Sequence, residues 1–173
     1  MERIIEELQS ILISNSDEKT RISGERFFRE VVKIHGLKSS LVESIARDYF
    51  KKLPDRTKGY VFGLCEELWK TGYMEESFIA CNWSYSMKEE YMPEDFHQFE
   101  RWVKKYLTNW ASCDTLCNHT IGAFIEMYPS FLAELTKWAN SENRWVKRAS
   151  AVTLIIPARR GKFLNEIIGI ADI

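Results

Sequence analysis

The sequence predicts an all-α protein, a solenoid of antiparallel helical hairpins. Apolar residues recur at a spacing near 3.6 along the chain, and no clear strand alternation interrupts them. About ten helices of roughly 12–18 residues, joined by short turns, account for this pattern. Periodicity alone also allows a closed bundle, but the number and similar length of the helices favour stacked hairpins of the HEAT-like kind.

The first helix is expected over residues 1–14, where Ile4, Leu8 and Leu12 share one face. A polar interval, residues 14–21, is predicted to be a connection. Phe27 to Ile34 supplies the apolar positions of a second helix, which Gly36 ends. We predict the next helices over the following ranges: 38–53, closed by Pro54; 58–71, followed by Gly72; and 74–91.

The second half predicts the same organisation. Its expected elements are a helix over 93–109 with Pro93 in its first turn, one over 110–127, one from Pro129 to Trp138, one capped by Ser141 and running to about 156, a turn at 157–161 and a last apolar segment, 162–173. We expect residues 1–173 to be a single helical-repeat domain. The apolar ending "IADI" favours a C-terminally incomplete chain.

Composition excludes several classes of protein. The chain has 173 residues, 45% hydrophobic, with a net charge of −1, which is typical of a globular domain. No apolar run reaches the length of a membrane span, and acids interrupt the N-terminal segment, unlike a signal peptide. We therefore expect a cytoplasmic protein with its four cysteines reduced. We also expect a monomer.

The charge is unevenly distributed. Residues 1–100 hold 14 Lys and Arg against 19 Asp and Glu, whereas residues 101–173 hold 10 against 6. An acidic half joined to a basic half commonly means only that both charged surfaces are solvated. The same asymmetry can also orient a chain on a polyanion.

A carboxylate on an apolar stripe is the most specific feature. In "NWASCDTLCNH", Asp114 follows Trp110 by four residues and precedes Cys117 and Ile121 on the same helical face. One interpretation is a first-turn acid in a helix capped by Asn109, with Trp110 in the core. The other is a functional carboxylate beside an indole.

Basic residues interleaved with aromatic ones lie in the same half. They are Arg144, Lys147 and Arg148 around Trp145, then Arg159, Arg160 and Lys162 in "PARRGK", and Lys104 and Lys105 in "WVKKY". They form either a solvated edge or a set of phosphate contacts. Cys113, Cys117 and His119 have neither the spacing nor the shared face of a zinc site, and phosphate-loop motifs are absent, so we expect no metal and no nucleotide cofactor.

Three stretches, "NWASCDTLC", "WANSENRWVKRASAV" and "IPARRGKF", resemble the DNA alkylation repair family of AlkD-like proteins, and "SGERFFREVVKIHGLKSSLVESIARDYFKKL" is also similar. The resemblance implies a HEAT-like solenoid that binds duplex DNA containing alkylated bases. It also implies a glycosylase that releases N3- and N7-alkylated purines by acting from the sugar side.

Carried over by position, the resemblance implies a role for three residues. Trp110 matches an aromatic side chain that packs on the deoxyribose, Asp114 the catalytic carboxylate, and Arg148 an arginine that holds the DNA backbone. The competing hypothesis is a non-catalytic scaffold that binds nucleic acid or protein. In that case we expect Trp110 to be buried and Asp114 to accept from backbone amides.

Overall fold

The computed structural model describes residues 2–173. These residues fold into α-helices, short 3-10 helices, a π-helical segment and an isolated β-bridge. The α-helices are α1 (Glu2–Ser14), α2 (Glu18–Phe27), α3 (Ser39–Lys52), α4 (Lys58–Thr71), α5 (Met74–Ser86), α6 (Asp95–Tyr106), α7 (Trp110–Thr115), α8 (Gly122–Met127), α9 (Leu132–Ala139), α10 (Arg144–Val152), α11 (Ile155–Arg159) and α12 (Leu164–Ala171). The predicted all-α class is confirmed. No helix within residues 2–173 has the length and apolarity needed to cross a bilayer.

The chain divides into two compact units, Met1–Met87 and Lys88–Ile173. In the first unit, α4 and α5 form a hairpin whose connection is only Gly72 and Tyr73. Gly72 ends α4 in the left-handed region, at φ +73°, as its position after the apolar pattern predicts. Trp83 of α5 is fully buried, and its indole N–H donates to the carbonyl of Ala46 in α3 at 2.8 Å.

The prediction for residues 14–36 is wrong in two places. The polar interval begins a helix, because the carboxylate of Asp17 accepts from the amide of Thr20 at 2.7 Å and caps α2. The stretch that follows Phe27 is not helical, and Lys33 forms a parallel bridge with Tyr73. Its apolar spacing resembled a helix, but Val31 is almost fully exposed.

Two buried glutamates hold this non-helical stretch. Glu75 accepts hydrogen bonds from the backbone amides of His35, Gly36 and Leu37 at 2.8–3.2 Å. Glu76 contacts the ring nitrogen Nε2 of His35 at 2.9 Å. The Glu75 carboxylate thus provides acceptors for backbone amides that would donate to backbone carbonyls if this stretch were helical. This tertiary contact outweighs the helix that the local apolar periodicity predicted.

In the second unit, α6, α8 and α9 pack around aromatic side chains. The ring of Phe96 lies 5.8 Å from that of Phe124 and 5.4 Å from that of Trp138, between centroids. Hydrogen bonds made by side chains recur between residues 34–38 positions apart, as between Tyr91 and Tyr128 or between Glu100 and Trp138. That recurrence is what stacked helical hairpins of similar length produce.

Residues 110–127 are helical throughout, as predicted, but their middle is not an α-helix. Leu116–Ile121 forms a π-helical segment between α7 and α8. The helix expected over 141–156 is likewise interrupted, because α10 ends at Val152 and α11 begins at Ile155. Pro157 to Arg159, predicted as a turn, belongs to α11, and the turn follows at Gly161, whose φ is +71°. Pro93 lies before α6 rather than in its first turn.

Candidate active site

Asn109 fixes the start of the helix that carries Trp110 and Asp114. Its side-chain oxygen accepts from the amide of Ser112 at 2.9 Å, and Asn109 and Ser112 are both buried. The predicted cap is therefore present, and Asp114 lies beyond it rather than serving as one. Trp110 is half-buried at the first helical position, one turn before Asp114.

Arg148 binds the carboxylate of Asp114 with both arms of its guanidinium. Nε donates to Oδ1 and Nη2 to Oδ2, each at 2.7 Å. The Asp114 side chain is 27% exposed and that of Arg148 42% exposed, so solvent reaches the pair. The hydrogen bond from Arg148 to Asp114, assisted by their opposite charges and opposed by partial burial, raises the pKa of the Arg148 guanidinium.

The surroundings of Asp114 distinguish the two sequence interpretations. The partner of its carboxylate is a guanidinium on α10, not the backbone amides that the scaffold hypothesis expects. The other residues of the stripe predicted from the sequence, Cys117, Ile121 and Phe124, are fully buried. Asp114 is instead partly exposed, in the α-helical turn just before the π-helical segment.

The first turn of α10 presents further basic side chains. Asn143, rather than the expected Ser141, caps this helix by accepting from the amide of Trp145 at 2.9 Å. The guanidinium of Arg144 lies over the Trp145 ring, 4.5 Å from its centroid. Lys147, like Arg144, is exposed. Three of the predicted basic residues thus occur on α10, and Arg148 is the one that the structure pairs with Asp114.

The remaining predicted cations lie at other points of the second unit. Arg160 and Lys162 both bind Glu126, at 2.8 Å for the shortest contact of each. Lys104 pairs with Glu100 at 2.8 Å, and the ammonium of Lys105 lies 5.0 Å from the centroid of the Tyr106 ring. Arg159 is exposed at the end of α11. These cations are therefore not one continuous cluster around Asp114.

Glu126 is a residue of this region that was not predicted from the sequence, although the sequence carries a signal for it. Asp114 and Arg148 are 34 residues apart, and so are Glu126 and Arg160. Burial alone would raise the pKa of Glu126, but hydrogen bonds and positive charge from Lys162 and Arg160 outweigh it and lower that pKa. The repeated spacing of an acid and an arginine could have indicated both ion pairs.

The two cysteines near Asp114 are part of the buried core. Cys113 and Cys117 are buried, and the thiol of Cys113 lies 3.8 Å from the carbonyl of Trp145, to which it donates. His119, in contrast, is exposed. Across residues 2–173, nowhere do three potential metal-ligating side chains meet.

Comparison with known proteins gives one clear relationship. The model of a family described as "DNA alkylation repair enzyme" matches residues 8–173, nearly the whole chain. Among curated proteins, none matches the sequence. Since the family match includes Trp110, Asp114 and Arg148, it covers the candidate site entirely. The chain belongs to the DNA alkylation repair enzyme family.

Proposed function

We propose that this protein is a DNA glycosylase that hydrolyses the N-glycosidic bond of N3- and N7-alkylated purines in duplex DNA. The observation that carries the proposal is the ion pair of Asp114 and Arg148, which lies one helical turn from Trp110 and is reached by solvent. Membership of the repair family supports DNA as the substrate. Action in the cytoplasm as a monomer without a cofactor is part of the same proposal.

The chemistry needs an anion beside the sugar. An N-alkylated purine carries a formal positive charge and leaves readily, so cleavage develops positive charge on the deoxyribose. The Asp114 carboxylate would stabilise that charge and orient the water that adds to the sugar carbon. The indole face of Trp110 would add a cation–π attraction to the same charge.

Arg148 has two roles in this proposal. In the free chain its guanidinium occupies both oxygens of Asp114. A DNA phosphate offers the same bidentate acceptor and competes for that guanidinium. Binding of the backbone would thereby loosen the pair and make the carboxylate available to the sugar. Arg144, Lys147, Arg159, Arg160, Lys162, Lys104 and Lys105 are the proposed further contacts with the backbone.

Release of 3-methyladenine and 7-methylguanine from methylated duplex DNA tests the proposal. Wild type should release both bases, whereas Asp114→Asn should release neither while still binding DNA. Glu134→Gln is the matched control, because Glu134 pairs with the neighbouring Lys137 on α9 at 2.7 Å and removal of its charge leaves Asp114 unchanged. Wild-type protein that binds DNA but releases no base would instead support the non-catalytic scaffold.

A further inference from the structure

Glu126 lies at the other end of the helical run that carries Asp114. Its carboxylate accepts two contacts from Nη1 of Arg160, at 2.8 and 3.0 Å, and one from Nζ of Lys162, at 2.8 Å. The Glu126 side chain is only 14% exposed, whereas those of Arg160 and Lys162 are 60% and 47% exposed. A mostly buried acid thus anchors two cations that extend towards solvent.

The π-helical segment decides which way Glu126 faces. In an uninterrupted α-helix, at 3.6 residues per turn, a residue twelve positions after Asp114 would lie about 120° around the axis. The wider turn of Leu116–Ile121 takes up about one extra residue. The effective separation becomes about eleven residues, or three turns, so Asp114 and Glu126 face nearly the same direction.

Two glycines keep this arrangement in place. A Cβ atom at Gly122 would lie 3.1 Å from the carbonyl oxygen of Thr153, so glycine allows the π-helical segment to approach the end of α10. Gly161, in the left-handed region, turns the chain after α11, and the amide of Lys162 donates back to the carbonyl of Pro157 at 3.0 Å. This turn brings Arg160 and Lys162 to the same carboxylate.

We infer that Glu126 is a positioning residue that holds Arg160 and Lys162 as a second contact for the DNA backbone, on the same helical face as the pair of Asp114 and Arg148. The inference rests on the proposed DNA-binding function. Eleven effective residues at 1.5 Å each separate the two contacts by about 17 Å along the helix. The π-helical segment sets this alignment, and Glu126 itself need not touch DNA.

The direction in which DNA affinity changes when Glu126 is replaced distinguishes a positioning role from a simple effect of its negative charge. An acid near DNA repels phosphate, so removing one that has no other role should tighten binding. Removing an acid that anchors two cations should instead weaken binding. Without it, Arg160 and Lys162 regain their side-chain freedom and must lose it again on binding.

The affinity for a short unmodified duplex should be measured over a series of salt concentrations, with wild type, Glu126→Gln, Glu126→Asp and Glu134→Gln. Glu126→Gln removes the charge and keeps the shape, whereas Glu126→Asp keeps the charge but withdraws the carboxylate by one methylene. Glu134→Gln removes an equal charge outside the proposed contacts. Thermal unfolding of each variant establishes that it is folded, and Glu126→Asp serves if Glu126→Gln is not.

We expect both Glu126 variants to weaken binding by about fivefold or more and to lower the slope of log affinity against log salt by about one, as for one lost phosphate contact. Glu134→Gln should leave the affinity equal or slightly tighter. Tighter binding by Glu126→Gln, with Glu126→Asp unchanged, would overturn the inference and leave the proposed function intact. Wild-type protein that binds no DNA would overturn both.

Discussion

The guanidinium of Arg148 binds both carboxylate oxygens of Asp114 across 34 residues of sequence, with two hydrogen bonds of 2.7 Å. Both side chains are reached by solvent. An ion pair in such a position contributes little to folding, typically about 0.2–1 kcal/mol, because water screens it and both side chains lose freedom. The pair is therefore available for exchange with another charged group.

Asp114→Asn should change the free energy of unfolding by less than ~1 kcal/mol, since the asparagine oxygen still accepts from Arg148 and the pair is accessible. Urea denaturation followed by circular dichroism measures this change. A loss greater than ~2 kcal/mol would show that Asp114 is mainly a structural acid and would weaken its assignment as the catalytic carboxylate.

Arg148→Lys should weaken DNA binding even though it keeps the positive charge. A lysine ammonium cannot make the two-armed contact that the guanidinium makes with Asp114 or with a phosphate. We expect a lower affinity and slower base excision, both measured at fixed salt concentration. Lys137→Arg, on α9 beside Glu134, is the control for the change of head group and should have no effect on either quantity. Unchanged affinity in Arg148→Lys would mean that charge alone suffices at this position.

Local pattern predicted much of the fold. The apolar spacing of residues 38–53 and 58–71 predicted α3 and α4 within a residue or two, and Gly72 ends α4 as expected. The same reasoning failed at residues 27–36, where the partners are Glu75 and Glu76 about 40 positions away. Periodicity within a short window cannot detect such distant partners.

In the candidate site, too, local features could be predicted from the sequence and tertiary ones could not. Asn109 was identified as a helix cap from its position alone, and the structure confirms it. The partner of Asp114 depends on how α7 packs against α10, which is a tertiary relationship. Likewise, the π-helical segment of Leu116–Ile121 shifts the helical register by about one residue, and the apolar spacing around it gave no sign of the shift.

Glu75→Ala should destabilise the protein severely. The buried carboxylate of Glu75 accepts from three backbone amides, those of His35, Gly36 and Leu37, and alanine would leave all three without that acceptor. At about 1–3 kcal/mol for each unsatisfied buried group, we expect a loss of at least ~3 kcal/mol.

Hydrogen exchange locates the origin of that loss. The amides of His35, Gly36 and Leu37 should exchange much faster in Glu75→Ala than in wild type, if the variant is examined at a temperature where it remains folded. Glu25→Ala serves as the control, because Glu25 pairs through its side chain with the neighbouring Arg21 rather than with backbone amides. Unchanged protection of the three amides in Glu75→Ala would contradict the assigned hydrogen bonds.

Acidification should remove the stability that Glu100 provides. Burial acts to raise the pKa of Glu100, but hydrogen bonds from Lys104 and Trp138, with nearby positive charge, lower it overall. A carboxyl group whose pKa is lowered by folding stabilises the folded state above its unfolded pKa, and this contribution disappears as the pH falls through the folded pKa. For glutamate the loss should therefore occur below about pH 4.

Glu100→Gln tests this assignment, because glutamine can still accept from the Trp138 indole but does not ionise in this range. Urea unfolding between neutral pH and about pH 3 should show wild type losing more stability than the variant, by about 1 kcal/mol at the acidic end. Glu94→Gln, which removes a charge from an exposed position just before α6, provides the matched comparison. If Glu100→Gln loses as much stability as wild type on acidification, the bonds from Lys104 and Trp138 do not stabilise the ionised carboxylate.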